Sequence, residues 1–166
     1  MAIGTSGLTH AFKEELLKGS FGNLSSGNST NLRVALIKDS TGLDAVNSDT
    51  STHPTVANMD LYGNLGEFEV TGTGNYNRNH ADNDLEGADV TFDDQTGTAI
   101  LSFNNIVFSN VTLSTSGALI YRVDNSASNR HTVALISFNG TVSANSGNLT
   151  LTFPTATATS GFIRLV

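Results

Sequence analysis

Apolar and polar positions along this chain fall into two rhythms. Leu8, Ala11, Phe12, Leu16 and Leu17 recur at helical spacing over residues 8–18. Ser6 or Thr9 stands where a side-chain oxygen can cap the first turn, and Gly19 stands where a left-handed residue commonly ends a helix. A helix this short is marginal alone, so it must pack against the domain's own sheet or against a neighbouring subunit. Beyond Gly19 the helical period is gone and an alternating one replaces it. Leu32, Val34 and Leu36 alternate with Arg33, Ala35 and Ile37, which predicts a strand buried on one face or both. A weaker strand is expected at Gly66–Val70. From residue 88 onward strands are predicted at Val90–Phe92, Thr98–Phe103, Ile106–Phe108, Val111–Leu113, Gly117–Val123, His131–Phe138, Asn148–Phe153 and Gly161–Val166.

Between these runs, residues 20–31 and 39–58 read as polar loops, with Pro54 interrupting the second. Residues 72–87 hold Gly72, Gly74, Asn75, Asn77, Asn79, Asn83 and Gly87, and predict a long surface loop of the kind that often carries binding. Short strands, polar turns and one N-terminal helix point to an all-β antiparallel sandwich, jelly-roll or Ig-like. A parallel sheet would need helices between its strands, and no helical pattern follows residue 19. The length fits a single domain spanning 1–166, with residues 1–20 as an N-terminal helical arm.

Composition narrows the partners. Net charge is −7 and only 8 basic residues are present, scattered along the chain, so nucleic-acid binding is not expected. No run of about 18 apolar residues occurs, so no membrane span is expected, and the N-terminus does not read as a signal peptide. Without cysteine there is no disulfide, no thiol nucleophile and no Cys-ligated zinc. Ser, Thr, Asn and Gly are abundant, and the five Asn-x-Ser/Thr sequons at Asn23, Asn28, Asn110, Asn139 and Asn148 follow from that abundance alone.

Candidate chemistry is sparse. No nucleophile elbow, phosphate loop or His-Glu-x-x-His helix is present, and His10, His53, His80 and His131 lie far apart. The sharpest local feature is acidic: Asp82, Asp84, Glu86 and Asp89 crowd one loop, followed by Asp93 and Asp94. Calcium favours such oxygen-rich loops, but the spacing is not that of an EF-hand, so the weak candidate metal loop competes with a plain solvated acidic one. Glu67 and Glu69 are placed two apart on one predicted strand face, as neighbours rather than as opposed jaws across a sugar. With no tryptophan and three tyrosines to stack on a sugar, glycoside hydrolysis is not expected, nor is a cofactor.

Six stretches together resemble a family of small tailed-phage virion structural proteins. They are GLTHAFKEELLKG (7–19) followed by LRVALI (32–37), then EVTGTG (69–74), GALIY (117–121), and LTFP (151–154) with FIRL (162–165). Order and spacing match across nearly the whole chain. Two departures are Ile37, where the family usually has tyrosine, and a longer, more acidic 75–86 loop. The resemblance implies a non-enzymatic component of the virion, a capsid decoration or cement protein on the major capsid protein, without naming catalytic residues. Homo-oligomerisation, for example as a trimer, is expected of such a protein. The helix face Leu8, Phe12 and Leu16 is the candidate interaction surface. The alternative is a tail- or fibre-associated module that recognises host glycans through the 72–87 loop.

Overall fold

The computed structural model describes residues 6–19, 31–38, 62–123, 131–157 and 159–166. Residues 20–30 of the first predicted loop and all of the second, 39–58, lie outside the described residues, and with them His53, Asn23 and Asn28. In chain order the elements are β1 (Gly7–Leu8), α1 (His10–Lys18), β2 (Leu32–Ile37), β3 (Asp89–Asp93), β4 (Thr98–Ser102), β5 (Ile106–Arg122), β6 (Thr132–Leu151) and β7 (Ile163–Leu165). They form two antiparallel sheets, ordered β1-β6-β5-β2 and β3-β4-β7. Among the described residues the fold is an all-β sandwich with one short α-helix.

The main core lies between the sheets. Val34, Leu36, Ile120 and Val133 of the larger sheet meet Leu101 and Ile163 of the smaller one, with Phe108, Phe153 and Tyr76 filling the remaining space. The rings of Phe103, Phe153 and Phe162 meet edge-on or tilted, with centroids 5.4–5.5 Å apart, a geometry that aromatic quadrupoles favour. The larger sheet is buried on its outer face as well. Ala35, Ile37, Leu119, Tyr121 and Leu135 pack there with Leu65. Every residue of β2 is therefore buried, which is why the strand reads LRVALI instead of alternating with polar side chains.

The helix is positioned by its caps. Thr9 Oγ accepts from the Phe12 amide at 3.2 Å and donates to Thr132 O at 2.7 Å, so one hydroxyl closes the helix and fastens it to β6. Gly19, at φ +68°, ends it, its amide reaching Glu15 O and Leu16 O. With Gly7 and Leu8 paired to Leu135 and Ala134 of β6, and Phe12 only 2% exposed in the core, the described part of the predicted N-terminal arm is packed into the sandwich.

Two long strands replace several short ones. Ile106–Phe108, Val111–Leu113 and all but the last residue of Gly117–Val123 are parts of β5, and all but the first residue of His131–Phe138 joins the start of Asn148–Phe153 in β6. The polar interruptions are bulges, not reversals. Asn110, Asn139 and Ser146 adopt φ of +54°, +55° and +49°, and the β5–β6 register shifts between Phe108 and Leu113. The strand expected at Gly66–Val70 is instead the end of a 3₁₀ turn (Tyr62–Phe68) plus a single bridge from Glu69 to Ile37.

Candidate functional site

The segment 62–87 runs along the free edge of the larger sheet and stitches itself to it. Glu69 bridges Ile37 and Asp84 bridges Arg33, with Val70 N donating to Leu36 O and Leu85 N to Leu32 O, both at 2.9 Å. Past the end of β2 the same segment covers β5. The Asn75 amide donates to Ser109 O at 3.2 Å, Asn75 Oδ1 accepts from the Ser109 amide at 2.6 Å, and Thr73 Oγ exchanges bonds with Thr112 N and O. An uncovered strand edge is a template for unwanted pairing, and this segment removes it. The 72–87 stretch is thus not a simple surface loop, since Tyr76, Asn83 and Leu85 within it are fully buried.

Where the segment meets β2, the residues gather the most unusual polar groups among those described. The Glu69 carboxylate is buried at 2% exposure. Its Oε2 accepts from the Tyr62 hydroxyl at 2.6 Å and its Oε1 from the Tyr76 hydroxyl at 2.8 Å. The Tyr76 oxygen in turn accepts from the Leu36 amide at 2.8 Å, so a chain of hydrogen bonds runs from the strand backbone to the carboxylate. The Tyr62 ring stacks on Tyr121 with centroids 4.1 Å apart, and the Tyr121 hydroxyl donates to Asn79 Oδ1 at 3.2 Å. Arg78 donates to the carbonyls of Val70 and Glu69. Arg33 Nε meets Asp84 Oδ1 at 2.5 Å, and its Nη1 donates to Asn79 O at 2.9 Å.

Electrostatics follow from this packing. Burial pushes the Glu69 carboxyl above the usual carboxylate range, against the opposing pull of the two tyrosine hydroxyls and Arg78. Burial, reinforced by the adjacent Glu69, pushes both Tyr62 and Tyr76 far above the ordinary phenol value, so they remain donors. For Arg33, burial works against the charge, but the hydrogen bond and attraction of Asp84 outweigh it and raise its pKa. These groups hold backbone carbonyls and amides and stack on one another.

Because Glu69 binds its proton more tightly folded than unfolded, its contribution to stability is fully present below the unfolded carboxyl pKa of about 4 and is lost as pH rises through the raised folded value. Glu69→Gln keeps an acceptor and removes the buried charge. Its expected effect is a higher thermal midpoint at neutral pH and a flatter pH dependence above about pH 4, both read by circular dichroism melts. Glu69→Ala strands two tyrosine hydroxyls, and a loss of about 1–3 kcal/mol for each is expected.

The predicted acidic site residues are dispersed. Asp84 is held by Arg33, and Asp82 contacts His80 Nδ1 at 3.1 Å within its own turn. Among the described residues, no group of three or more His, Cys, Asp or Glu side chains is placed to hold a metal ion. Asp82, Asp84, Glu86 and Asp89 are thus not brought together in such a group. Adding calcium and then a chelator should leave the thermal midpoint unchanged.

The predicted interaction face divides in the same way. Phe12 belongs to the core, Leu8 packs half-buried against it, and only Leu16, at 37% exposure, reaches the surface. Glu69 is not an exposed strand carboxylate, and the side chain of Glu67 lies outside the described set. Comparison with family models, curated proteins and solved structures finds no match for this chain.

Proposed function

We propose that this chain is a non-enzymatic structural protein of a tailed-phage particle, a decoration or cement protein seated on the major capsid protein at the virion surface and present there as a homo-oligomer. The observation that carries the reading is where the phage-like stretches fall. GALIY (117–121) pairs residue for residue with VALI of β2 and with Arg33, from Arg33↔Tyr121 to Ile37↔Gly117. EVTGTG (69–74) caps that same pair, and GLTHAFKEELLKG (7–19) packs on β6 beside it. Four of the stretches that carry the resemblance thus lie together in one packed frame, which supports the reading. A further support is that the polar cluster at Glu69 is spent on holding this frame.

Glycan recognition through the 72–87 loop draws less support, because the loop's tyrosine, Tyr76, faces the core. The test is stoichiometry in purified particles. A copy number in step with the major capsid protein is the expected result, and a handful per particle would place the chain in the tail instead.

A further inference from the structure

Exposed apolar side chains are concentrated at one place. Among the described residues eight large ones are exposed, and six of them, Leu16, Leu17, Val90, Phe92, Leu165 and Val166, lie on α1, β3 or the C-terminal end. Strand register explains part of this grouping. Val90 sits beside Leu101 and Ile163, and Phe92 beside Ala99 and Leu165, so two apolar rows cross the smaller sheet on one face. In the first row Leu101 and Ile163 are buried in the core, while Val90 is 47% exposed; in the second, Phe92 is 64% exposed and Leu165 44%. Phe12 and Leu16 of α1 complete an apolar cleft of about 160 Å³ beside it. A patch of this kind on a protein with a net charge of −7 marks an interaction surface.

The strand that borders the cleft has a free edge. Among the described elements β3 pairs only with β4, so its outer row of amides and carbonyls is open. The charges on that edge discriminate between occupants. Asp89 and Asp93 bracket the apolar pair, and Asp94 follows. Antiparallel pairing of two copies about Thr91 would set Asp89 of each against Asp93 of the other, like charges directly opposed at both ends. The Gln95 amide and the Thr96 hydroxyl hold the Asp93 carboxylate at 2.9 Å each, so it stays ionised at neutral pH. Arg164 lies on the same face of the sheet as these carboxylates, opposite the apolar rows, and its charge acts on Asp93.

We propose that the edge of β3 takes up an extended segment of a partner protein that carries two apolar side chains two residues apart, bracketed by lysine or arginine. The segment adds a strand to the smaller sheet, its apolar side chains cover Val90 and Phe92, and its basic residues face Asp89 and Asp93. This deepens the decoration reading, on which it rests only for the source of the partner.

The test uses the full chain and a short synthetic peptide, lysine–valine–threonine–valine–lysine, blocked at both ends, with a glutamate-ended version as control. Binding is followed by calorimetry. The lysine-ended peptide is expected to bind, more weakly as salt rises, and the glutamate-ended one is expected to fail. Phe92→Ser should weaken binding about tenfold with an unchanged melting midpoint, since the ring is exposed. Asp89→Lys should weaken binding of the lysine-ended peptide several-fold, and Val90→Ser serves as a second apolar variant.

Equal binding of both peptides, no binding of either, or full affinity in both Phe92→Ser and Val90→Ser would overturn the proposal. So would a dimer at neutral pH that Phe92→Ser dissociates, because the patch would then belong to a second copy. Peptide binding by a protein that purified particles lack keeps the surface and removes the decoration reading. A particle-bound protein that ignores the peptide does the reverse.

Discussion

Phe12→Asp is expected to bring the protein close to unfolding at room temperature. Phe12 is 2% exposed and packs in the core on a helix whose N-cap hydroxyl is bonded into β6. Truncating a buried phenylalanine removes about 3–5 kcal/mol, and an uncompensated carboxylate in its place adds a desolvation penalty. Set against a total stability of about 5–15 kcal/mol, that is a large share. At about 2–4 °C per kcal/mol for a chain of this size, Phe12→Ala alone should lower the melting midpoint by about 10 °C. Leu16→Asp is the contrast, at a surface position where a small change is expected. A normal midpoint in Phe12→Asp would mean that the helix does not pack inward.

Gly74→Ala should also have a large effect, although it adds a single methyl group. Gly74 has φ +57°, and a Cβ there would lie 2.3 Å from Asn110 O and 2.4 Å from Ser109 O. Backbone carbonyls cannot swing aside as a side-chain tip can, so the loop must lift from β5. Lifting would break the bonds that Thr73 and Asn75 make to β5 and expose a stretch of its edge. Left-handed strain and the loss of two or more hydrogen bonds sum to about 3 kcal/mol, readable as a lower urea midpoint. Gly97→Ala is the control. Its φ of +65° imposes the same left-handed strain, but nothing lies within 4 Å of the added Cβ, so only about 1–2 kcal/mol is expected.

Much of the fold was readable from local pattern. The helix with its Gly19 terminus, the doubly buried LRVALI and the strand beginning at Thr98 each follow from spacing and residue type. What pattern missed has one physical cause: a turn and a bulge recruit the same residues. Ser109–Asn110 and Asn139–Gly140 carry the polar, positive-φ chemistry of a chain reversal, but in β5 and β6 the strands run through them. Nothing within a few residues distinguishes the two cases, because the decision rests with the strand alongside.

The polar cluster was less readable still. Glu69 read only as a neighbour of Glu67 on one strand face, and glutamates are ordinarily exposed. Its partners Tyr62 and Tyr76 stand 7 residues away on either side, and they converge on it only because the segment folds back along β2. The candidate face Leu8, Phe12 and Leu16 was read with the correct period. Its fate depended on β6, far along the chain, which no helical periodicity can report.

That distance has a consequence for synthesis. The hydroxyl of Thr9 bonds to Thr132 O and Val133 O, separations of 123 and 124 residues. A ribosome delivers chain at about 5–20 residues per second, so α1 leaves the tunnel several seconds before β6 exists. For that interval its apolar stripe has no final partner, and loop closure over such a span is a slow step in folding. The first helix to be made is among the last elements to be secured, and in a crowded polysome the nearest β6 could belong to a neighbouring nascent chain.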